Sequence, residues 1–302
     1  MYRGRFAPSP TGPLHFGSLI AALASFADAR ARDGQWHVRI EDVDVPRARP
    51  DAETAILAAL QRYGFAWDGP VLRQSARTAR YAAALERLVA QALAYPCACT
   101  RRELAGARMG AGGEHVYPGT CSGGVAAARA ARRERAWRIR VGNAVVTFDD
   151  RLQGPQRQDV AHDVGDFVVR RADGLYAYQL AVVVDDAEQA VTHVVRGADL
   201  LASTPRQIHL QRALDLPQPS YLHVPVALDR TGGKLSKQTN AVPLPDDPLP
   251  VLLAAWRFLD QPDFASPPRS VAEFWAHAVR AWTPRRLPPV AMLPAPAVFG
   301  GV

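Results

Sequence analysis

RFAPSPTGPLHFGS, from Arg5 to Ser18, carries a strand-like Arg-Phe-Ala into an apolar helix across two prolines and a Thr-Gly turn. An ordinary strand-to-helix connection needs about two to six residues and no histidine. Gly17 removes a side chain where a planar base or ribose could lie close. The helix mouth behind it offers unpaired N–H groups and a positive dipole end to a phosphate. His15 can donate hydrogen bonds to phosphate oxygens, and Ser18 can cap the helix. Taken alone, the four residues His15 to Ser18 are a weak match and read first as a tight turn.

Working outward, SLIAALASFADARARD from Ser18 has apolar residues three and four apart, and Gly34 stops it. WHVRIED alternates as a strand does. DAETAILAALQRYGF returns to helix with Asp51 as its cap, and ARTARYAAALERLVAQALAY is a longer helix. Such alternation predicts a parallel α/β unit. After Tyr95 it breaks into PCACTRREL, a glycine-rich stretch and an arginine-rich helix. WRIRVGNAVVTFDD then reads as a hairpin turning at Gly142-Asn143. The α/β signal resumes with GDFVVRR, YAYQLAVVVDD and THVVRG, and TPRQIHLQRALDL and YLHVPVAL complete it. From Asn240 prolines multiply around two helical stretches, and the tail PPVAMLPAPAVFGGV is expected to be poorly ordered. The expected divisions are a core at 1–95, an insertion at 96–163, a resumed core at 164–240 and a short helical region at 241–302.

A chain of 302 residues, 48% hydrophobic and 22% charged, has the balance of a soluble globular protein that can bury a large core. Its net charge of +7 favours a polyanionic partner, or simply aids solubility. No stretch is apolar enough to cross a membrane, and the N-terminus lacks a signal-peptide core. Three cysteines within one short segment argue against a disulfide framework. A cytoplasmic monomer is expected.

TGGKLSKQ, Thr231 to Gln238, follows the late strand. Its two glycines make a mobile loop, and Lys234 and Lys237 flank a serine. Ammonium groups that meet a pyrophosphate as charge develops stabilise phosphoryl or adenylyl transfer. A solvated loop is the plain alternative. The two stretches together, at opposite ends of one sheet, specify far more than either.

They resemble the HIGH and KMSKS signatures of class I aminoacyl-tRNA synthetases. His15-Phe16-Gly17-Ser18 stands for the first, with serine replacing its second histidine. Lys234-Leu235-Ser236-Lys237-Gln238 stands for the second, departing at its second and fifth positions. Arg5 to Gly12, Arg39-Ile40-Glu41-Asp42 and Val195-Arg196-Gly197-Ala198-Asp199-Leu200 resemble glutamyl-tRNA synthetases in particular. The likeness spans roughly Tyr2 to Leu244. It implies a Rossmann-like α/β core with Mg-ATP held at Pro8, His15, Gly17, Ser18 and Lys237, and catalysis by His15, Lys234 and Lys237. It assigns Arg5, Ala7 and Ser9 to substrate L-glutamate, Glu41 to its amino group, and Tyr178 and Arg196 to its carboxylates. Arginine holds a carboxylate bidentately, which a neutral glutamine side chain cannot match in charge. Val182 departs from the family, which commonly carries asparagine there.

Cys97 and Cys99 form a Cys-x-Cys knuckle, and Cys121 follows a glycine-rich loop. Three thiolates suggest a tetrahedral, structural Zn2+ that needs a fourth ligand. Zinc chemistry in general favours His115. Tyr117-Pro118-Gly119-Thr120-Cys121 resembles the motif of short glutamyl-tRNA synthetase paralogues whose zinc takes tyrosine, which selects Tyr117. The basic run Arg129 to Arg140 reads as half solvated helix face, half phosphate-contacting surface.

About sixty residues follow the lysine loop, too few for an anticodon-reading module. This combination resembles the glutamyl-Q tRNA(Asp) synthetases, which activate glutamate with ATP, without tRNA, and transfer it to queuosine in the anticodon of tRNA(Asp). Two rivals share much of the pattern: a minimal enzyme charging the 3′ end of tRNA(Glu), and a non-catalytic paralogue that binds glutamate or RNA.

Overall fold

A computed structural model describes all residues except 45–47, 111–114, 128–133, 236–241 and 300–302. The chain opens with β1 (Arg3–Phe6), α1 (Phe16–Arg30), β2 (Gln35–Ile40), α2 (Pro50–Arg62), β3 (Leu72–Arg73) and α3 (Thr78–Ala90). β1, β2 and β3 pair in parallel in the order β1-β2-β3. α1 is apolar nearly all round, with Leu19, Ile20 and Leu23 almost wholly buried, because it lies between the sheet and two late helices. Gly34 follows it where a Cβ would fall 2.8 Å from the Tyr2 carbonyl oxygen, so only glycine fits the reversal into β2. Asp51 lies in the first turn of α2, behind Pro50, and not at its cap.

β4 (Ala94–Cys97), β5 (Ala136–Ile139) and β8 (Val168–Arg170) form a separate antiparallel sheet. Between β5 and β8 come β6 (Val145–Asp150) and β7 (Gly154–Asp159). The expected hairpin across Gly142-Asn143 is corrected here. The chain does turn there, with Gly142 at φ +58°, but β5 and β6 leave for different sheets. The true hairpin is β6–β7, reversing between Asp150 and Gly154. Local turn chemistry was legible, whereas the partners are chosen by long-range packing.

α4 (Tyr178–Glu188), β9 (His193–Gly197), α5 (Thr204–Ala213), β10 (Ser220–Val224) and β11 (Val226–Leu228) follow. β10 pairs in parallel with both β9 and β6, so the β6–β7 hairpin extends the core sheet. β9 lies alongside β1, joined where Thr192 N–H donates to the Arg3 carbonyl at 2.9 Å. Strand and helix thus alternate as the sequence predicts, and the carboxyl ends of β1, β2, β9 and β10 meet at one edge. Asp185 on α4 is fully buried and ties the two halves, accepting from Gln74, Arg77 and Tyr81.

α6 (Pro248–Phe258) and α7 (Val271–Ala281) pack on α1 as part of the same core cluster. The indole N–H groups of Trp275 and Trp282 donate to the Tyr63 carbonyl and the Asp28 carboxylate. Over its described residues, up to Phe299, the tail overturns its expectation of disorder. Met292–Pro294 forms β12, parallel to β11, and the Phe299 ring stacks on Phe16 at 4.4 Å. Proline-rich composition hides a strand that takes its order from its neighbour.

Candidate active site

Where β1, β2, β9 and β10 end, a cavity of about 280 Å³ opens above the N-terminus of α1. Ala7, Pro8, Ser9, His15, Gly17 and Ser18 line one wall, and Arg5 closes its floor. Glu41, Tyr178 and Arg196 face them, and Lys234 stands at the rim beside Asp199. Every described residue expected at the ATP and glutamate sites is therefore in one cavity. Lys237 lies outside the described residues, as do the rest of its loop at 236–241 and Arg129, Arg132 and Arg133 of the basic run.

His15, not Ser18, caps α1: the Ser18 N–H donates to its Nδ1 at 3.3 Å. That bond leaves the ring proton on Nε2, the atom a phosphate oxygen could meet. A Cβ on Gly17 would come within 3.3 Å of the Leu235 carbonyl oxygen, so the glycine lets the lysine loop close over the helix mouth. Lys234 reaches back to Asp199, Nζ to Oδ2 at 2.5 Å. Leu244 N–H donates to the Leu14 carbonyl at 2.9 Å, fixing the far end of that loop beside His15.

Beneath Arg5 lies an ion cluster that sequence reasoning missed. Arg39 is wholly buried, 2.8 Å from Asp186 and 3.3 Å from Glu41; Arg5 Nε also reaches Asp186 at 3.3 Å. Burial works against ionisation of Asp186, but Arg39 and Arg5 outweigh it and hold the carboxyl below the usual range. For Glu41 burial wins over Arg39 and Arg5, and its carboxyl is pushed up. Burial likewise raises the Tyr178 hydroxyl, with Glu41 adding to it. Asp186 thus neutralises the arginine pair, while Glu41 remains the carboxylate presented to the cavity. A paired Arg and Asp spaced across the sequence by 147 positions leaves no local signal.

Arg196 projects from β9 with most of its donors engaged. Nε donates to His223 Nε2 at 3.0 Å, and Nη2 donates to Thr204 Oγ1 at 2.9 Å and Gln207 Oε1 at 2.8 Å. Nη1 is buried and has no partner among the described residues. A buried guanidinium nitrogen left unpaired costs free energy unless an acceptor arrives. Val182, the family departure, is wholly buried in the second hydrophobic cluster and does not line the cavity.

A second cluster sits at the end of β4. The sulfurs of Cys97, Cys99 and Cys121 lie within 4.8 Å of one another, and among the described residues no other His, Cys, Asp or Glu group is so arranged. The Tyr117 hydroxyl joins them, 3.3 Å from Cys97 and 3.7 Å from Cys99, and it accepts from Cys121 N–H at 2.8 Å. His115 is exposed and tied to the Ala107 carbonyl, away from the thiols. Burial opposes the Cys97 thiolate, yet hydrogen bonds from Tyr117 and Cys99 and the Arg138 guanidinium bring its thiol below the ordinary value. Burial pushes Cys99 up to about 11. Three sulfurs around a zinc would be about 3.8 Å apart for Zn–S bonds near 2.3 Å. The 3.6 Å between Cys99 and Cys121 sits close to that edge, so the donor set fits the metal.

The chain matches the family described as tRNA synthetases class I (E and Q), catalytic domain, over residues 1–246. A relative from Burkholderia cenocepacia, named glutamyl-Q tRNA(Asp) synthetase, is 58% identical over 94% of this chain and 97% of its own length. One of the same name from Aromatoleum aromaticum is 53% identical over 99% of this chain and 94% of its own. Among solved structures, a glutamate tRNA ligase from Elizabethkingia meningosepticum, in complex with its amino acid, superposes with a TM-score of 0.82 at 24% identity. That match spans 99% of this chain and 68% of the ligase. Family match and relatives agree: the chain is a ligase and belongs to the class I tRNA synthetases (E and Q), in the group of the glutamyl-Q tRNA(Asp) synthetases.

Proposed function

We propose that the protein activates L-glutamate with Mg-ATP, without needing tRNA, and transfers it to queuosine at the first anticodon position of tRNA(Asp). The observation that carries the glutamate reading is the unpaired, buried Arg196 Nη1 in a cavity that also holds Arg5, Tyr178 and the opposed carboxylate of Glu41. Cations at one side and a carboxylate at the other suit a dicarboxylic amino acid. The names of the relatives support queuosine in tRNA(Asp) as the acceptor.

In the first step a glutamate α-carboxylate oxygen attacks the α-phosphorus of ATP. Arg5, Ala7, Ser9, Tyr178 and Arg196 orient the amino acid, and Glu41 receives its ammonium. The bond to the β-phosphate oxygen breaks, giving glutamyl-adenylate and pyrophosphate. Pro8, His15, Gly17 and Ser18 seat the nucleotide, and His15, Lys234 and Lys237 balance the phosphate charge. A hydroxyl of queuosine then attacks the anhydride carbonyl and AMP departs. Orientation and electrostatics supply the rate, so no side-chain nucleophile is required. Cys97, Cys99, Cys121 and Tyr117 would hold a structural Zn2+, which when bound cross-links the insertion. The part of residues 96–163 outside the β6–β7 hairpin, with the arginines around β5, would grip the RNA. We further propose a cytoplasmic monomer.

Incubation with ATP and radiolabelled glutamate, with separate samples of tRNA(Asp) bearing or lacking queuosine and of tRNA(Glu), tests this. Label retained only on the queuosine-bearing tRNA is expected. Label on tRNA(Glu) makes the protein a minimal charging enzyme instead. No label and no glutamate-dependent pyrophosphate exchange leaves a non-catalytic binding paralogue.

A further inference from the structure

Behind Arg196, away from the cavity, stands a buried chain of polar groups that the reaction itself does not use. Asp150 closes β6, and His223 is wholly buried on β10. His223 Nδ1 lies 2.6 Å from Asp150 Oδ2, and its Nε2 lies 3.0 Å from Arg196 Nε. Arginine Nε carries a hydrogen and cannot accept, so His223 Nε2 is the acceptor. The ring proton must then reside on Nδ1 and point to Asp150. The other oxygen of Asp150 is committed: Oδ1 accepts from the backbone N–H groups of Leu152, Gln153 and His223 at 3.0, 2.9 and 3.2 Å. Thr204 Oγ1, which accepts from Arg196 Nη2, also lies 3.2 Å from His223 Nε2, and its one hydrogen can go there or to the Leu200 carbonyl at 3.3 Å. Burial, outweighing the Asp150 hydrogen bond, lowers the His223 pKa to about 4, in keeping with a neutral ring.

We propose that Asp150 and His223 are positioning residues for glutamate recognition: by fixing the imidazole with its proton on Nδ1, Asp150 makes His223 an acceptor that turns Arg196 so that Nη1 alone faces the substrate carboxylate. This rests on the glutamate reading above and deepens it. The arrangement resembles in logic a carboxylate that selects a histidine tautomer, but here the imidazole transfers no proton. The group it serves is a permanent cation whose direction, not charge, must be set.

The near-isosteric change Asp150→Asn isolates the tautomer. Three backbone N–H donors require the amide oxygen to take the place of Oδ1, so the amide nitrogen must face His223. That forces Nδ1 to accept and Nε2 to carry the proton, directly against Arg196 Nε–H. His223→Leu removes the acceptor outright, and His223→Gln restores an acceptor oxygen near the Nε2 position. Steady-state glutamate-dependent ATP–pyrophosphate exchange by the full chain, with 15N histidine spectra, reads the outcome. A hydrogen bond to a charged group corresponds to about a 10- to 100-fold change in KM for glutamate. That rise is expected for Asp150→Asn and His223→Leu, with KM for ATP and kcat within about threefold of the unaltered protein. His223→Gln should recover most of the loss, and the His223 signals should switch tautomer in Asp150→Asn. Unchanged KM for glutamate in Asp150→Asn, despite a switched tautomer, overturns the inference. Equal losses in both KM values, kcat and melting temperature also overturn it, since a purely structural role does that. If the unaltered protein lacks glutamate-dependent exchange and calorimetry finds no glutamate binding, the glutamate reading itself falls, and this inference with it.

Discussion

Lys234 and Asp199 form an ion pair, Nζ to Oδ2 at 2.5 Å, that moors the lysine loop to the end of β9 at the cavity rim. Their side chains are 47% and 33% exposed, so solvent screens the pair and it is worth about 1 kcal/mol or less. A triphosphate can therefore take the ammonium away cheaply.

Lys234→Ala is expected to slow glutamate-dependent pyrophosphate exchange by about 10²-fold, because it removes charge stabilisation from the transition state. Stability should stay within about 1 kcal/mol of the unaltered protein, given the weakness of the surface pair. Exchange kinetics beside urea melts check both. A loss of stability matching the loss of rate would show that the lysine serves the fold.

Glu41 makes a pH prediction. Its carboxyl is held above the ordinary carboxylate value by burial, and it must be ionised to receive an ammonium. As pH falls toward that raised pKa the carboxylate is protonated, so KM for glutamate should climb before other carboxylates titrate. Glu41→Gln should raise KM about 10- to 100-fold and flatten its rise with acidity. A pH series of exchange assays between neutrality and pH 5 tests this. An unaltered profile in Glu41→Gln would assign the titration elsewhere.

Asp28 anchors the late helices. It is fully buried, bonded to Tyr2, Arg151 and Trp282, and its pKa is held at about 2: burial pushes upward, but Arg151 and the hydrogen bonds outweigh it. Its folded value lies below the unfolded one of about 3.9, so the contribution is complete above pH 4 and lost as pH falls toward 2. It amounts to about 2.5 kcal/mol. Asp28→Asn, which strands Arg151, should cost about 3 kcal/mol at neutral pH, and the cost should shrink in acid. Urea unfolding at pH 7 and pH 3 measures the two.

For the thiol cluster, Tyr117→Phe is expected to lower bound zinc well below one equivalent, while His115→Ala leaves it unchanged. Cys121→Ser should abolish it. Plasma emission spectrometry on the purified protein decides, and a zinc content sensitive to His115 alone would reverse the choice of ligand.

How far the sequence could be read depends on what each feature demands of the backbone. RFAPSPTGPLHFGS was legible because Gly17 must let the Leu235 carbonyl approach, and such demands leave fixed residue types. The sheet edge was legible from alternation. The Arg39–Asp186 pair was not, since partners far apart in the chain obey no spacing rule. His223 was invisible for another reason: within YLHVPVAL it occupies an ordinary inward position of a strand, and only its neighbours give it work. The tail failed because a three-residue strand among prolines has no period of its own.

β12 also sets the order in which the site can be made. During synthesis β11, the stem of the lysine loop, emerges more than sixty positions before Met292–Pro294, which pair with it. Until then the stem is an open strand edge, the kind that recruits other chains. Met292–Pro294 cover one edge of the stem that carries the lysine loop, so a substitution that unseats them would bare that edge beside the cavity.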